Sequence, residues 1–264
     1  VKPLFELEQV GFSYPGRPAA LRGVTLRVLQ GENLALLGAN GSGKSTLLQI
    51  LAGLQFATEG SVAFDGISIG HDTLSHDAGF RSRFRSTVGI LFQNSDTQLF
   101  CPTVREEVAF GPLQVKPEPE ALEITDRMLA AFGLARLADE APYALSGGEK
   151  KKVALAAVLA MEPQVLLLDE PTANLDPKTC DFLFDTLGGF VSDANRTVIT
   201  ATHDLGVARL LGRTCALLTP EHTVAMHAPI EQILGDPDLL LQVNLVGRME
   251  ARADGGASLS HRKA

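Results

Sequence analysis

Apolar side chains recur at every second position through Val10, Phe12 and Tyr14 and again through Val24, Leu26 and Val28. That period is expected of strands with one buried face. Residues 62–64 and 67–69 repeat the pattern around Asp65-Gly66, a pair suited to a tight antiparallel hairpin. Residues 33–37 are mostly apolar and lead into a glycine-rich loop, followed by a short helical pattern over 45–54 that Gly53 closes. Between Gln93 and Gly148 the texture changes. VREEVAFGP and EALEITDRMLAAFGL carry helical spacing, with Pro112, Pro117 and Pro119 between them and Gly133 as the C-terminal stop. Beyond it, helical patterns at 148–161, 177–191 and 204–211 alternate with apolar runs at 165–168, 197–201 and 215–218. This alternation predicts an α/β fold whose parallel sheet is covered on both faces. The expected organisation is an α/β core over 1–92 and 160–220 that includes an N-terminal antiparallel β subdomain, and an inserted helical subdomain over 93–159. A C-terminal extension over 221–264 completes it, its last fourteen residues reading as a frayed tail.

Composition narrows the function. With 264 residues, 45% hydrophobic and 20% charged, the chain has enough apolar mass for a large core. The net charge is −8 and no basic block exceeds Lys150–Lys152, which argues against nucleic acid as a partner. No run approaches the ~18 apolar residues of a membrane span. The opening VKPLFELEQ lacks the pattern of a secretory signal. Three widely spaced cysteines, Cys101, Cys180 and Cys215, read as reduced, mostly buried thiols of a cytoplasmic protein.

Gly38-Ala39-Asn40-Gly41-Ser42-Gly43-Lys44-Ser45 satisfies G-x-x-x-x-G-K-[ST], with an apolar strand before it and an apolar helix after. Glycines at these positions let backbone N–H groups wrap a β-phosphate, Lys44 reaches the β- and γ-phosphates, and Ser45 takes a place on Mg²⁺. The apolar run 165–168 delivers Asp169 and Glu170 at its carboxyl end, where a P-loop protein holds Mg²⁺ and polarises a water against the γ-phosphate. Residues 197–201 likewise deliver His203, a candidate γ-phosphate sensor or else a satisfied histidine at a helix start. Gln93 closes the run 88–92 in the same way but means little alone. ALSGGEKKK, residues 144–152, opens a helix unusually bare of side chains. Ser146 and Glu149 suffice for a capping box, which needs no ligand. Capping does not, however, ask for Gly147 or Gly148, and glycine in a first turn weakens a helix. Bare N–H groups there would suit an anion.

The set of Gly38–Ser45, Gln93, LSGGE, Asp169-Glu170 and His203, in this order, resembles the nucleotide-binding subunit of ABC transporters over nearly the whole chain to about residue 220. The resemblance implies a P-loop, RecA-like core with ATP and Mg²⁺ as cofactors. Two such subunits then pair head to tail, each completing the other's ATP site with Ser146, Gly147 and Gly148. It also implies Tyr14 stacking on adenine, Thr46 beside the phosphates, and Mg²⁺ held by Ser45, Gln93 and Asp169. Glu170 would be the general base, with Lys44, His203 and Gln93 in the catalytic set and Ala173–Asp176 along the dimer seam. Asn174 stands where the family usually has Gly, Lys152 where Arg is usual, and Glu149 where Gln is commoner. GILFQNSDTQLF, EEVAFGP and KKVALAAVLAMEP resemble the energy-coupling-factor branch, which takes up cobalt, nickel or vitamins. That branch implies a transmembrane coupling protein docked in a groove over 92–104, a substrate-binding membrane protein, and a peripheral place on the cytoplasmic face of the membrane. The second ATPase subunit would be an identical copy or a paralogue. A soluble mechanical ATPase would bring paired cassettes or basic surfaces, and a GTPase a guanine-reading N/T-K-x-D; neither is present.

Overall fold

The computed structural model describes residues 2–247. It divides into two units, one holding residues up to His71 and again from Ile199, the other holding Asp72–Val198.

In the first unit, β1 (Pro3–Ser13) pairs antiparallel with β2 (Ala19–Leu29), setting Phe5 opposite Val28 and Leu7 opposite Leu26. The alternating residues Val10, Phe12, Val24, Leu26 and Val28 are buried as their period requires, whereas Tyr14 lies past the end of β1 and is half-buried. All five residues of β3 (Asn33–Leu37) are buried, and α1 (Lys44–Leu51) follows the glycine-rich loop. β4 (Glu59–Phe64) pairs with the other edge of β1 and turns into β5 (Ile67–Ser68). Asp65 and Gly66 have φ of 51° and 79°, the two positive values of a type I′ hairpin turn.

The second unit opens with helices that apolar periodicity does not announce. α2 (His71–His76) begins as the chain crosses from one unit to the other, and α3 (Ala78–Thr87) buries only Phe80 and Phe84, a stripe one residue wide. β6 (Val88–Leu91) runs parallel to β7 (Val165–Asp169), pairing Val88 with Val165 and Leu91 with Leu168. Between those strands come α4 (Val104–Phe110), α5 (Pro112–Val115), α6 (Glu118–Ala131) and α7 (Gly147–Leu159), the expected helical insertion. Gly133, with φ of 67°, lies two residues past the end of α6. α8 (Pro177–Ser192) follows β7.

The chain re-enters the first unit within β8 (Thr197–Thr202), then forms α9 (Leu205–Leu211), β9 (Thr214–Leu218), β10 (Val224–Pro229), α10 (Ile230–Leu234) and α11 (Pro237–Gln242). Strand order there is β10-β9-β3-β8, with β9 parallel to β3 and Ala35 opposite Cys215. β10 is antiparallel to β9 and adds an antiparallel edge strand to the expected parallel sheet. The turn between them, closed by Thr219 N–H donating to the Thr223 carbonyl, is too short for a parallel crossover. Ile230, Ile233, Leu240 and Val243 of the C-terminal helical segment pack on Ala35, Leu37, Cys215 and Leu217. The expected frayed tail lies outside the described residues. Among the described residues no helix is long and apolar enough to cross a membrane. Among the described residues the three cysteines form no disulfide, but only Cys215 is buried; Cys101 and Cys180 are partly exposed, a correction to the mostly buried reading.

Candidate active site

The glycine-rich loop joins β3 to α1, so a buried strand fixes one end and a helix N-terminus the other. Its conformation needs glycine at two points. Gly43 has φ of 105°, and a Cβ there would lie 2.4 Å from the Ala20 carbonyl oxygen; Gly41 has φ of 83° and faces open space. Lys44, 5% exposed, folds back so that its Nζ donates to the Gly38 and Ala39 carbonyls at 2.8 and 3.2 Å. Ser42 is 2% exposed and its hydroxyl has no hydrogen-bond partner among the described residues. An orphaned hydroxyl and a buried ammonium in one glycine-rich loop fit an anionic group such as phosphate. Asn40 is exposed, Ser45 half-buried and Thr46 buried. The Tyr14 hydroxyl meets Thr46 Oγ1 at 3.2 Å and donates to Gln49 Oε1 at 3.3 Å, while its ring stands edge-on to Phe12. These bonds tie Tyr14 to the helix that carries the loop. His203 follows β8 and is exposed; Asp204 next to it caps α9, accepting from Gly206 and Val207 N–H.

In the second unit, β7 ends in two carboxylates, Asp169 and Glu170, each only 6% exposed. Glu170 has φ of 42°, a conformation that side chains with a Cβ rarely adopt and that recurs at functional positions. Asn174 has φ of 60°, the left-handed backbone that glycine and asparagine tolerate best. Within this unit Asp169 and Gln93 offer a carboxylate and an amide oxygen, hard donors of the kind that fit Mg²⁺.

The start of α7 carries the full capping box. Glu149 N–H donates to Ser146 Oγ at 3.4 Å, and Ser146 N–H and Oγ donate to Glu149 Oε2 at 2.9 and 2.6 Å. The Ser146 hydroxyl and backbone N–H hold the Glu149 carboxyl below its ordinary range. A Cβ on Gly147 would meet nothing within 4 Å, so no packing demands glycine there. Gly148 differs, because a Cβ would lie 3.0 Å from Thr179 Oγ1, and contact with α8 accounts for part of its bareness.

Gln93 is exposed and, with Asn94, Asp96, Gly147, Lys151 and Asn174, lines a cavity of about 370 Å³. Lys151 is 3% exposed and its Nζ donates to the Phe92 and Gln93 carbonyls at 2.9 and 3.0 Å. Burial pushes this ammonium down to about 8, against the attraction of Asp169. Gln98 straddles the same segment, donating to the Ile90 carbonyl and accepting from Phe92 N–H. Lys152 rests over the Phe182 ring at 4.3 Å, a use of its charge that needs no guanidinium fork.

Sequence inspection passes over Ser42 as an orphan, Gln98 and, above all, Lys151. A signal for Lys151 exists: it precedes the buried Ala154 and Leu155 by three and four residues, on the core face of α7.

A buried-lysine phosphate loop, a strand ending in two buried acids and a capped, glycine-opened helix define a P-loop ATPase of the ABC type. The model of the family described as ABC transporter matches residues 21–173. The nickel import ATP-binding protein NikO of Rhodobacter capsulatus is 44% identical over 256 residues, covering 95% of this chain and 99% of that protein. The energy-coupling factor transporter ATP-binding protein EcfA of Methanothermobacter thermautotrophicus is 38% identical over 252 residues, covering 95% of this chain and 78% of its own length. The solved structure of cbiO1 from Clostridium perfringens, described as part of the ABC transporter complex cbiONQ, matches with a TM-score of 0.75 and 32% identity, covering 98% of this chain and all of that one. The chain belongs to the ABC transporter family, as an ATP-binding protein whose activity is the hydrolysis of ATP.

Proposed function

We propose that this chain powers an energy-coupling-factor importer of a transition-metal ion, cobalt or nickel, working as a head-to-tail pair of identical copies at the cytoplasmic face of the membrane. The observation that carries the pairing is Gly147, bare and facing open space at the N-terminus of α7 in a chain that already has its own phosphate loop. The cargo reading is supported by the nickel import relative, similar over nearly the whole chain.

In this reading the N–H groups of residues 38–46, Lys44 and the Ser42 hydroxyl hold the β- and γ-phosphates, and Tyr14 stacks on adenine. Ser45, Gln93 and Asp169 would hold Mg²⁺, which supplies neutralisation of charge on the β- and γ-phosphate oxygens. Glu170 takes the proton of the attacking water and His203 donates to the γ-phosphate. Ser146, Gly147 and Gly148 of the second copy close over the same phosphate through helix N–H groups. A transmembrane coupling protein docks beside residues 92–104 and a substrate-binding membrane protein carries the cargo. That docking is supported by Phe100 and Phe110, 67% and 46% exposed, in edge contact at 4.9 Å beside a cavity of about 200 Å³.

The test is metal uptake by cells that express the chain with its membrane partners, fed radioactive nickel or cobalt. Ser146→Arg and Lys44→Ala each abolish uptake alone, and their co-expression restores part of it, because each heterodimer keeps one intact composite site. No recovery over either variant would overturn cross-subunit completion; normal ATPase activity without metal uptake would overturn the cargo.

A further inference from the structure

α7 is tied to the Gln93 segment by two consecutive lysines. Lys151 Nζ donates to the Phe92 and Gln93 carbonyls at 2.9 and 3.0 Å, and Lys150 Nζ pairs with Asp96 at 2.7 Å. Adjacent residues of a helix point about 100° apart, so the two bonds reach the segment from different directions and fix its orientation as well as its distance. The ties differ in weight. The Lys150–Asp96 pair is solvent-facing on the aspartate side, which is 63% exposed, and such pairs hold weakly. Lys151 is 3% exposed, and burying an ammonium is costly unless its donors are satisfied. Its acceptors are carbonyls just past the end of β6, where sheet pairing has stopped. Asn94 adds a local brace, accepting from Asp96 N–H at 3.0 Å.

We infer that Lys151, aided by Lys150, is a positioning residue that fixes the Gln93 backbone to the helix opened by Ser146–Gly148. Any displacement of residues 92–96 then moves that helix start, and the reverse. The inference rests on the proposed roles of Gln93 and Ser146 in hydrolysis. Lys151 hydrogen-bonds to backbone carbonyls and not to a reacting group, and its charge also faces Asp169. A charge spent wholly inside the subunit accounts for a lysine on the core face of α7 better than solvation does.

The experiment uses the full-length protein, with Lys151→Met to remove the donors and Lys151→Arg to restore a cation able to reach two carbonyls. Lys151→Met is expected to leave the KM for ATP and the affinity for a fluorescent ATP analogue within about twofold while kcat falls about tenfold or more, since misplacing one catalytic group suffices for such a loss. Lys151→Arg is expected to recover kcat to within about threefold. Without nucleotide, the amides of residues 92–96 exchange hydrogen about tenfold faster in Lys151→Met, and those of 165–169 are unchanged. Wild-type kcat in Lys151→Met, a loss that Arg does not repair, or unaltered exchange at 92–96 would each overturn the inference. Should Lys151→Met fail to fold, Lys150→Ala and Asp96→Ala carry the same readouts, and wild-type exchange in both overturns the two-point tie. Absence of ATP hydrolysis in the unmodified protein would instead sink the functional reading, while hydrogen exchange still decides the tie.

Discussion

Glu170 shows how much chemistry one residue concentrates. It is 6% exposed, sits in left-handed backbone and follows a strand with no solvent-facing side chain. A carboxylate held at such a position suits the proposed abstraction of a proton from water. Glu170→Gln keeps shape and removes the proposed base. ATP affinity should stay within about twofold, turnover should fall at least about a hundredfold, and an ATP-bound dimer should accumulate on gel filtration. Full turnover in this variant would remove Glu170 from the base role. Ser42 belongs to the same scale. Its orphaned hydroxyl is the kind of defect a folded protein tolerates where a ligand supplies the missing partner.

Among the elements, α7 combines two demands that pull against each other. The capping box stabilises its start, and Gly147 weakens it without any packing return. The segment after β7 makes a similar compromise at Asn174, whose φ of 60° is easy for glycine and hard for a β-branched residue. Asn174→Gly should change stability by no more than a few tenths of a kcal/mol, and Asn174→Val should cost about 1–2 kcal/mol, both read from urea unfolding midpoints. Equal midpoints for Asn174→Val and the parent would show that the left-handed turn is not held in solution.

Acid stability is a property of the whole molecule. For Glu32, burial pushes the carboxyl up, but the combined pull of His227, the Leu29 N–H and Thr214 outweighs it, and the net direction is below 4.5. Glu149 and Asp176 are lowered by bonds from Ser146 and Thr179, and Asp193 by bonds from Asn195. A carboxyl whose folded value is depressed contributes stability that is complete above its unfolded value and is lost as pH falls through the folded one. Unfolding midpoints should therefore hold steady down to about pH 5 and decline below it, and Glu32→Gln should make that decline shallower. An unchanged slope in Glu32→Gln would show that the Glu32–His227–Thr214 cluster adds nothing to acid stability.

Residues 38–45, the Asp65-Gly66 hairpin and the capping box at Ser146 were legible in the chain because each is decided within a few neighbouring residues: positive φ selects glycine, and a cap needs its acceptor three positions away. The alternation of helices and apolar runs after residue 147 was legible for the same reason. Lys151 was legible only in part: its spacing to Ala154 and Leu155 puts it on the core face of α7, but the carbonyls of Phe92 and Gln93 that satisfy its buried ammonium lie far away in sequence. The orphaned Ser42 hydroxyl, the antiparallel return of β10 and the contact of Gly148 with Thr179 were likewise decided in three dimensions. Local backbone and capping preferences are written residue by residue, whereas burial of a polar group depends on which distant segments pack around it, and that is settled only when the chain folds.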